Sequence, residues 1–227
     1  MDFMLAGQGA ATPGLRQRLG RIILAHLWFK TLGTTGFLAL FFAAYLYLLH
    51  HPVYPVRVIP ATAVDAMIGF TPLALPVYVS LWLYVSLPAM LCSTRGAVSG
   101  YGAWMAALCL SGLAIFYFWP NAVPPAHVPW EQTPGMSFLK NVDAAGNACP
   151  SLHVGCAVFA ATRLHQRLPL LGLGRAAVWG SALWCLAIAW STLATKQHVA
   201  LDVLAGVALG GAYGLAAWRL APVRRVA

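Results

Sequence analysis

Long apolar runs, separated by short polar intervals, dominate the pattern of this chain. Six runs stand out, about Ile22 to Leu49, Met67 to Leu91, Tyr101 to Trp119, Ser151 to Leu164, Leu170 to Trp190 and His198 to Leu220. Most approach the roughly 20 residues a helix needs to cross a bilayer. The fourth is shorter. None alternates with a period of two, so an outer-membrane barrel is not expected. The pattern predicts an all-α bundle of six transmembrane helices, with Pro72, Pro76 and Pro88 kinking the second. It divides the chain into an N-terminal segment (1–21), one membrane domain (22–220) and a short tail (221–227).

Composition agrees, with 60% hydrophobic and 8% charged residues, against about a quarter charged in soluble domains. The net charge of +9 raises the question of nucleic acid, and its distribution answers it. If the spans alternate, one side carries Arg16, Arg18, Arg21, Arg95, Arg163, Arg167, Arg175, Arg219, Arg224 and Arg225. The other has Arg57, Lys140 and Lys196. This is the positive-inside asymmetry of a membrane protein. It puts both termini in the cytoplasm, excludes nucleic acid as a partner, and fits an inner (cytoplasmic) membrane. The N-terminal arginines lead into an uncleaved span, because the apolar run is too long for a signal peptide and no small-residue cleavage site follows. Four of the five cysteines fall in or near spans and Cys149 sits alone outside them, so no disulfide framework is expected.

The interval from Pro120 to Cys149 is the one long loop, rich in Pro, Gly and Asn. Long loops in compact proteins are often functional, and a polar connector has the same composition. In the last run Gly206, Gly210, Gly211 and Gly214 recur at helical spacing, a signature of close helix packing.

Candidate chemistry lies in two stretches. "STLATKQHVALDVLAG" (Ser191 to Gly206) places His198 and Asp202 four residues apart on one helix face. An ionisable group about one turn into an apolar span is expensive and points to function. A carboxylate on one ring nitrogen of His198 fixes its tautomer and makes the other nitrogen a better nucleophile. "NACPSLHVG" (Asn147 to Gly155) opens the fourth run from the same membrane face. Pro150 suits a first helical turn. The backbone N–H groups of Ser151, Leu152 and His153 would then form an anion cradle at a helix N-terminus. Two histidines, one carboxylate and an anion cradle are the parts phosphoryl transfer needs.

These residues carry a resemblance. "PSLH" (Pro150 to His153) resembles the P-S-G-H signature of the type 2 phosphatidic acid phosphatase superfamily. "STLATKQHVALD" (Ser191 to Asp202) resembles its S-R-x5-H-x3-D signature, with the same serine–histidine and histidine–aspartate spacings. The resemblance covers runs three to six best, and the six-span layout fits the membrane branch. It implies His198 as the nucleophile that forms a phosphohistidine and Asp202 as its orienter. It implies His153 as the general acid and then base, and phosphate oxygens held by Ser151 and nearby amides such as Leu152. No metal or cofactor would be required.

The pattern also departs from the superfamily. The K-x6-R-P signature is absent where "FWPNAVPPAH" (Phe118 to His127) stands, and Thr192 replaces the arginine after Ser191. Lys196 and His127 are the candidate replacements, with Lys140 and Arg57 weaker. Fewer cations suit a singly charged phosphodiester better than a phosphate monoester. In this the chain is similar to the sphingomyelin synthase and inositol phosphorylceramide synthase group, which moves a headgroup from a phospholipid to a lipid alcohol. The expectation is an enzyme at the outer leaflet that takes a membrane phospholipid as donor and a lipid alcohol or water as acceptor. A simple lipid phosphate phosphatase is the alternative. A transporter or proton relay, or an inactive lipid-binding relative, are rivals from other classes.

Overall fold

The computed structural model describes residues 14–126, 128 and 146–223. A short helix α1 (Leu15–Leu24) is followed by α2 (Leu27–His50). The first apolar run is therefore broken. His26 takes a left-handed conformation (φ 55°) between the two helices. Lys30, only 1% exposed, turns its ammonium back onto the carbonyls of Ile22 and Ile23 and across to Met90.

The second run is segmented at its prolines. After α3 (Ala63–Met67) come a 3-10 turn at Pro72–Ala74, then α4 (Leu75–Val79) and α5 (Leu81–Met90). Next is α6 (Arg95–Phe118), capped by the Thr94 hydroxyl, which accepts from the Ala97 N–H at 3.2 Å. The last three helices are α7 (Leu152–Leu170), α8 (Arg175–Ala194) and α9 (Ala200–Leu220).

Five of these segments are long and apolar enough to cross a membrane: Leu27–His50, Pro72–Met90, Arg95–Phe118, Arg175–Ala194 and Ala200–Leu220. The all-helical expectation holds and the chain has the make-up of an integral membrane protein. The count of six spans does not carry over. The expected fourth span is α7, 19 residues long, and it carries Arg163, His165, Gln166 and Arg167. These side chains make it too polar by composition. They are accommodated because α7 is the central helix, packed on α5, α6, α8 and α9. Arg163 donates to the carbonyls of Ala217 and Ala221 at 3.2 and 3.0 Å, and Arg167 to Leu91 at 3.0 Å. Each cation thus sits at the C-terminus of a neighbouring helix, the negative end of its dipole.

Glycine lets α9 approach α7. A Cβ at Gly206 would strike the Ser151 carbonyl, one at Gly210 the Gly155 backbone, and one at Gly214 the Thr162 side chain. Gly211 lies off this face with open space around it. The packing reading of the glycine run therefore holds for three of its four members.

At the end of the bundle where α7 and α9 begin, two short parallel strands, β1 (Arg57–Val58) and β2 (Asn121–Ala122), pair Arg57 with Asn121 and Val58 with Ala122. Ile59, Val123, Ala148 and Val199 form a small apolar cluster there. It closes over the starts of the two helices.

Candidate active site

Helix α7 begins at Leu152, two residues later than the proline suggests. Ser151 is the N-cap, its hydroxyl accepting from the Val154 N–H at 3.2 Å, and Pro150 lies outside the helix. The Ser151 N–H donates to the Asp202 carbonyl at 3.0 Å. This bond ties the start of α7 directly to the first turn of α9.

His198 also lies before its helix, because α9 starts at Ala200. The cause is Asp202. Its Oδ2 reaches back to accept from the Val199 N–H at 3.1 Å, a first-turn cap that ends the helix there. The same oxygen stands 3.4 Å from His198 Nδ1. That is a long hydrogen bond, as is common in sites without substrate. Asp202 is fully buried and its Oδ1 has no partner among the described residues. A carboxylate kept out of water with one oxygen on an imidazole and one unsatisfied is poised to stabilise a cationic ring.

His153, on the first turn of α7, stacks on Tyr78 of α4 with ring centroids 4.1 Å apart and planes at 24°. Its Nε2 is buried with no partner among the described residues. Tyr78 thus fixes the ring and leaves one nitrogen for another group. His153 and His198 both line one cavity of about 410 Å³, together with Asn147, Leu152, Tyr45 and Tyr78. The three residues expected to carry the chemistry, His153, His198 and Asp202, therefore meet at one end of the bundle.

The anion-binding candidates divide. Among the described residues the N–H groups of Leu152 and His153 have no acceptor, as expected for a helix's first turn. Ser151 is fully buried, and both its hydroxyl and its N–H serve the framework. The Lys196 ammonium donates to the carbonyls of Asp65, at 2.9 Å, and Ile68, so it ties the chain around α3 to the end of α8. Arg57 lies in β1. His127 and Lys140 lie outside the described residues, as do Arg224 and Arg225. Thr192 is fully buried and donates to the Ala189 carbonyl at 2.8 Å. No cluster of three or more His, Cys, Asp or Glu able to hold a metal occurs among the described residues.

Two residues that shape the site have no motif to mark them. Asn121 is buried and uses both ends of its amide. Its Nδ2 donates to the carbonyls of Trp119 and Cys149, and its Oδ1 accepts from the N–H groups of Ala148 and Cys149. It thereby fixes the chain just before α7. Asp65 accepts from Thr62 with one oxygen and from the Ala200 N–H, at 2.8 Å, with the other. That second bond caps α9 from outside. The available signal was rarity: Asp65 is one of five acidic residues in the chain. Asn121 stands where the superfamily's first signature was expected, and its amide offered no such signal.

Neither a curated protein nor a solved structure matches the chain. A family model does, over residues 97–225, and its description is the PAP2 superfamily. The matched region is more than half of the chain and includes both histidines and the aspartate. The chain belongs to the PAP2 superfamily.

Proposed function

We propose that this protein is a membrane enzyme that transfers the phosphoryl-bearing headgroup of a lipid through a phosphohistidine on His198. The observation that carries this reading is the convergence of His153 and His198 on one cavity, with Asp202 on His198 Nδ1. His198 Nε2 attacks phosphorus. The bond from phosphorus to the leaving oxygen breaks, and His153 Nε2 gives that oxygen its proton. His153 then takes a proton from the acceptor hydroxyl, which attacks the phosphohistidine and frees His198. Asp202 holds the Nδ1 proton and balances the ring's charge. The Leu152 and His153 N–H groups bind phosphate oxygens, helped by the dipole of α7.

The donor is a phosphodiester and the acceptor a lipid alcohol, as in the sphingomyelin synthase-like group. No lysine or arginine is among the described residues that line the cavity, and Lys196 is engaged with carbonyls. Among the described residues, then, the site has no cationic clamp of the kind that suits a doubly charged monoester. The site faces the periplasm or lumen, opposite the arginine-rich side, with α7 completing six spans.

The test is purified protein with phosphodiester and phosphomonoester lipids, each with ceramide, with diacylglycerol, or with water alone. Headgroup transfer to a lipid alcohol and an acid-labile, alkali-stable phosphoenzyme are expected. Release of inorganic phosphate from monoesters alone would replace this reading with that of a lipid phosphate phosphatase.

A further inference from the structure

The cavity does not stop at the histidines. On α2 its wall runs from Tyr45, whose carbonyl accepts from Asn147 at the histidine end, to Phe29 near the opposite end. The 16 positions that separate them span about 24 Å at 1.5 Å per residue. Half of a bilayer's hydrocarbon core is about 15 Å. The wall is therefore longer than one leaflet. Opposite α2 it is built from α5 and from α6 between Val98 and Cys109. Its side chains are mostly aromatic and aliphatic, and its titratable imidazoles are confined to the histidine end. The Arg95 guanidinium lies 5.6 Å from the centre of the Phe29 ring, which marks the far limit.

Two glycines line the far half, Gly33 and Gly102. A Cβ placed at either meets no atom within 4 Å. They differ from Gly206 and Gly210, where a Cβ would collide with backbone. Close helix packing explains those two and leaves Gly33 and Gly102 unexplained. Here the missing side chains leave room in the cavity.

We infer that the cavity takes one hydrocarbon tail of the substrate lipid in extended form, and that its far half around Gly33, Gly102 and Phe29 selects lipids whose tail passes the membrane midplane. This rests on the proposed function, because the phosphate must sit between the histidines for the tail to run this way. A tail in the bilayer is already out of water, so the cavity gains little from hydrophobic transfer. It discriminates by fit and by steric exclusion. Filling the far half removes room that only a long tail uses.

Two experiments test this. In the first, octyl, dodecyl, hexadecyl and eicosyl phosphates and phosphocholines are turned over by the full chain and its variants. Gly102→Leu is expected to lower the hexadecyl-to-octyl ratio of kcat/KM by about tenfold. Gly102→Ala should have a smaller effect in the same direction, and Phe29→Ala should raise the eicosyl-to-hexadecyl ratio. Turnover of octyl lipids by each variant reports that it is folded. Unchanged ratios in folded variants would overturn the inference. Absence of turnover of every lipid by the natural protein would instead defeat the proposed function.

The second experiment needs no turnover. A hexadecyl phosphocholine carrying a diazirine on its terminal carbon is photolysed with the natural protein in vesicles. Crosslinks to Phe29, Gly33 or the stretch from Val98 to Gly102 are expected. Crosslinks confined to outward-facing positions such as Leu40 and Leu110 would overturn the inference, whatever the activity.

Discussion

The two ends of the bundle treat buried titratable groups in opposite ways, although the neutral Ser93 hydroxyl at the cation end is also without a partner among the described residues. At one end Lys30, Arg163 and Arg167 are buried, and each donates to backbone carbonyls at helix termini. At the other end Asp202 Oδ1 and His153 Nε2 are buried without a partner among the described residues. A buried polar group without a partner is destabilising and is rare in native structures. Under the proposed function, a chain that satisfies three cations at one end, yet leaves a carboxylate oxygen and an imidazole nitrogen unsatisfied at the other, gives up stability where a substrate can restore it. Burial alone therefore does not single out a candidate functional group here, whereas a buried titratable group left unsatisfied does.

The largest expected effect is at the unsatisfied end. His198→Ala should abolish turnover and any phosphoenzyme while the protein still folds. Asp202→Asn should slow turnover by about 10³–10⁴-fold, by analogy with loss of the correct histidine tautomer in other triads. Rapid-quench turnover with phosphoenzyme trapping reads both. Normal turnover by His198→Ala would break the comparison outright.

Next comes the helix contact that holds that end together. Gly210→Leu forces a side chain into the Gly155 backbone, and separation of α7 from α9 should cost several kcal/mol, about the range for severe overpacking. Gly211→Leu meets open space and should be tolerated. Unfolding midpoints in mixed micelles compare the two, and equal midpoints would remove the glycine face as the reason for the close approach.

At the satisfied end, Arg163→Met leaves the Ala221 carbonyl without its donor, while the Ala217 carbonyl keeps the Ala221 N–H. The expected loss is about 1–3 kcal/mol of stability, with kcat of the folded fraction retained. A folded Arg163→Met protein with no turnover would mean that the two ends are not separate in function.

The smallest effect sharpens the electrostatics beside the site. Cys149 lies just before α7, and burial, with the Asp202 charge adding to it, pushes its thiol up to about 11. Alkylation needs the thiolate. Its rate should therefore rise about tenfold per pH unit through the range below pH 11, and Asp202→Asn should speed it at fixed pH. A rate that levels off near pH 8 or 9 would show that the thiol does not feel this burial.

The helical class and the segments that built the site were legible from the length and greasiness of the apolar runs. His153, His198 and Asp202 were legible because polar residues at fixed spacing in an apolar chain have few other reasons to be there. The count of six spans did not carry over, because the helix expected as the fourth span, α7, holds Arg163 and Arg167 through carbonyls at the ends of α9 and α5, a tertiary arrangement that no local pattern encodes. The helix starts were misplaced by one or two residues for a similar reason. Ser151 and Asp202 cap through side chains, and the caps decide where α7 and α9 begin. Lys196 looked like a free cation near His198, and the carbonyls that occupy it come from residues more than a hundred positions away. Asn121 and Asp65 act by the same long-range bonding.

The cavity also has a consequence for how such a chain diversifies. The helices that bear the histidines and aspartate lie inside the region shared with the PAP2 superfamily, residues 97–225. The wall from Phe29 to Tyr45 lies outside it. Under the proposed reading, part of the lipid choice is thus written outside the stretch that carries the reaction centre, while Gly102 and the rest of the α6 wall lie within it. Under the proposed reading, drift in α2 can retune which lipid is accepted while the inherited reaction centre stays untouched, much as a lock is rekeyed without replacing its bolt.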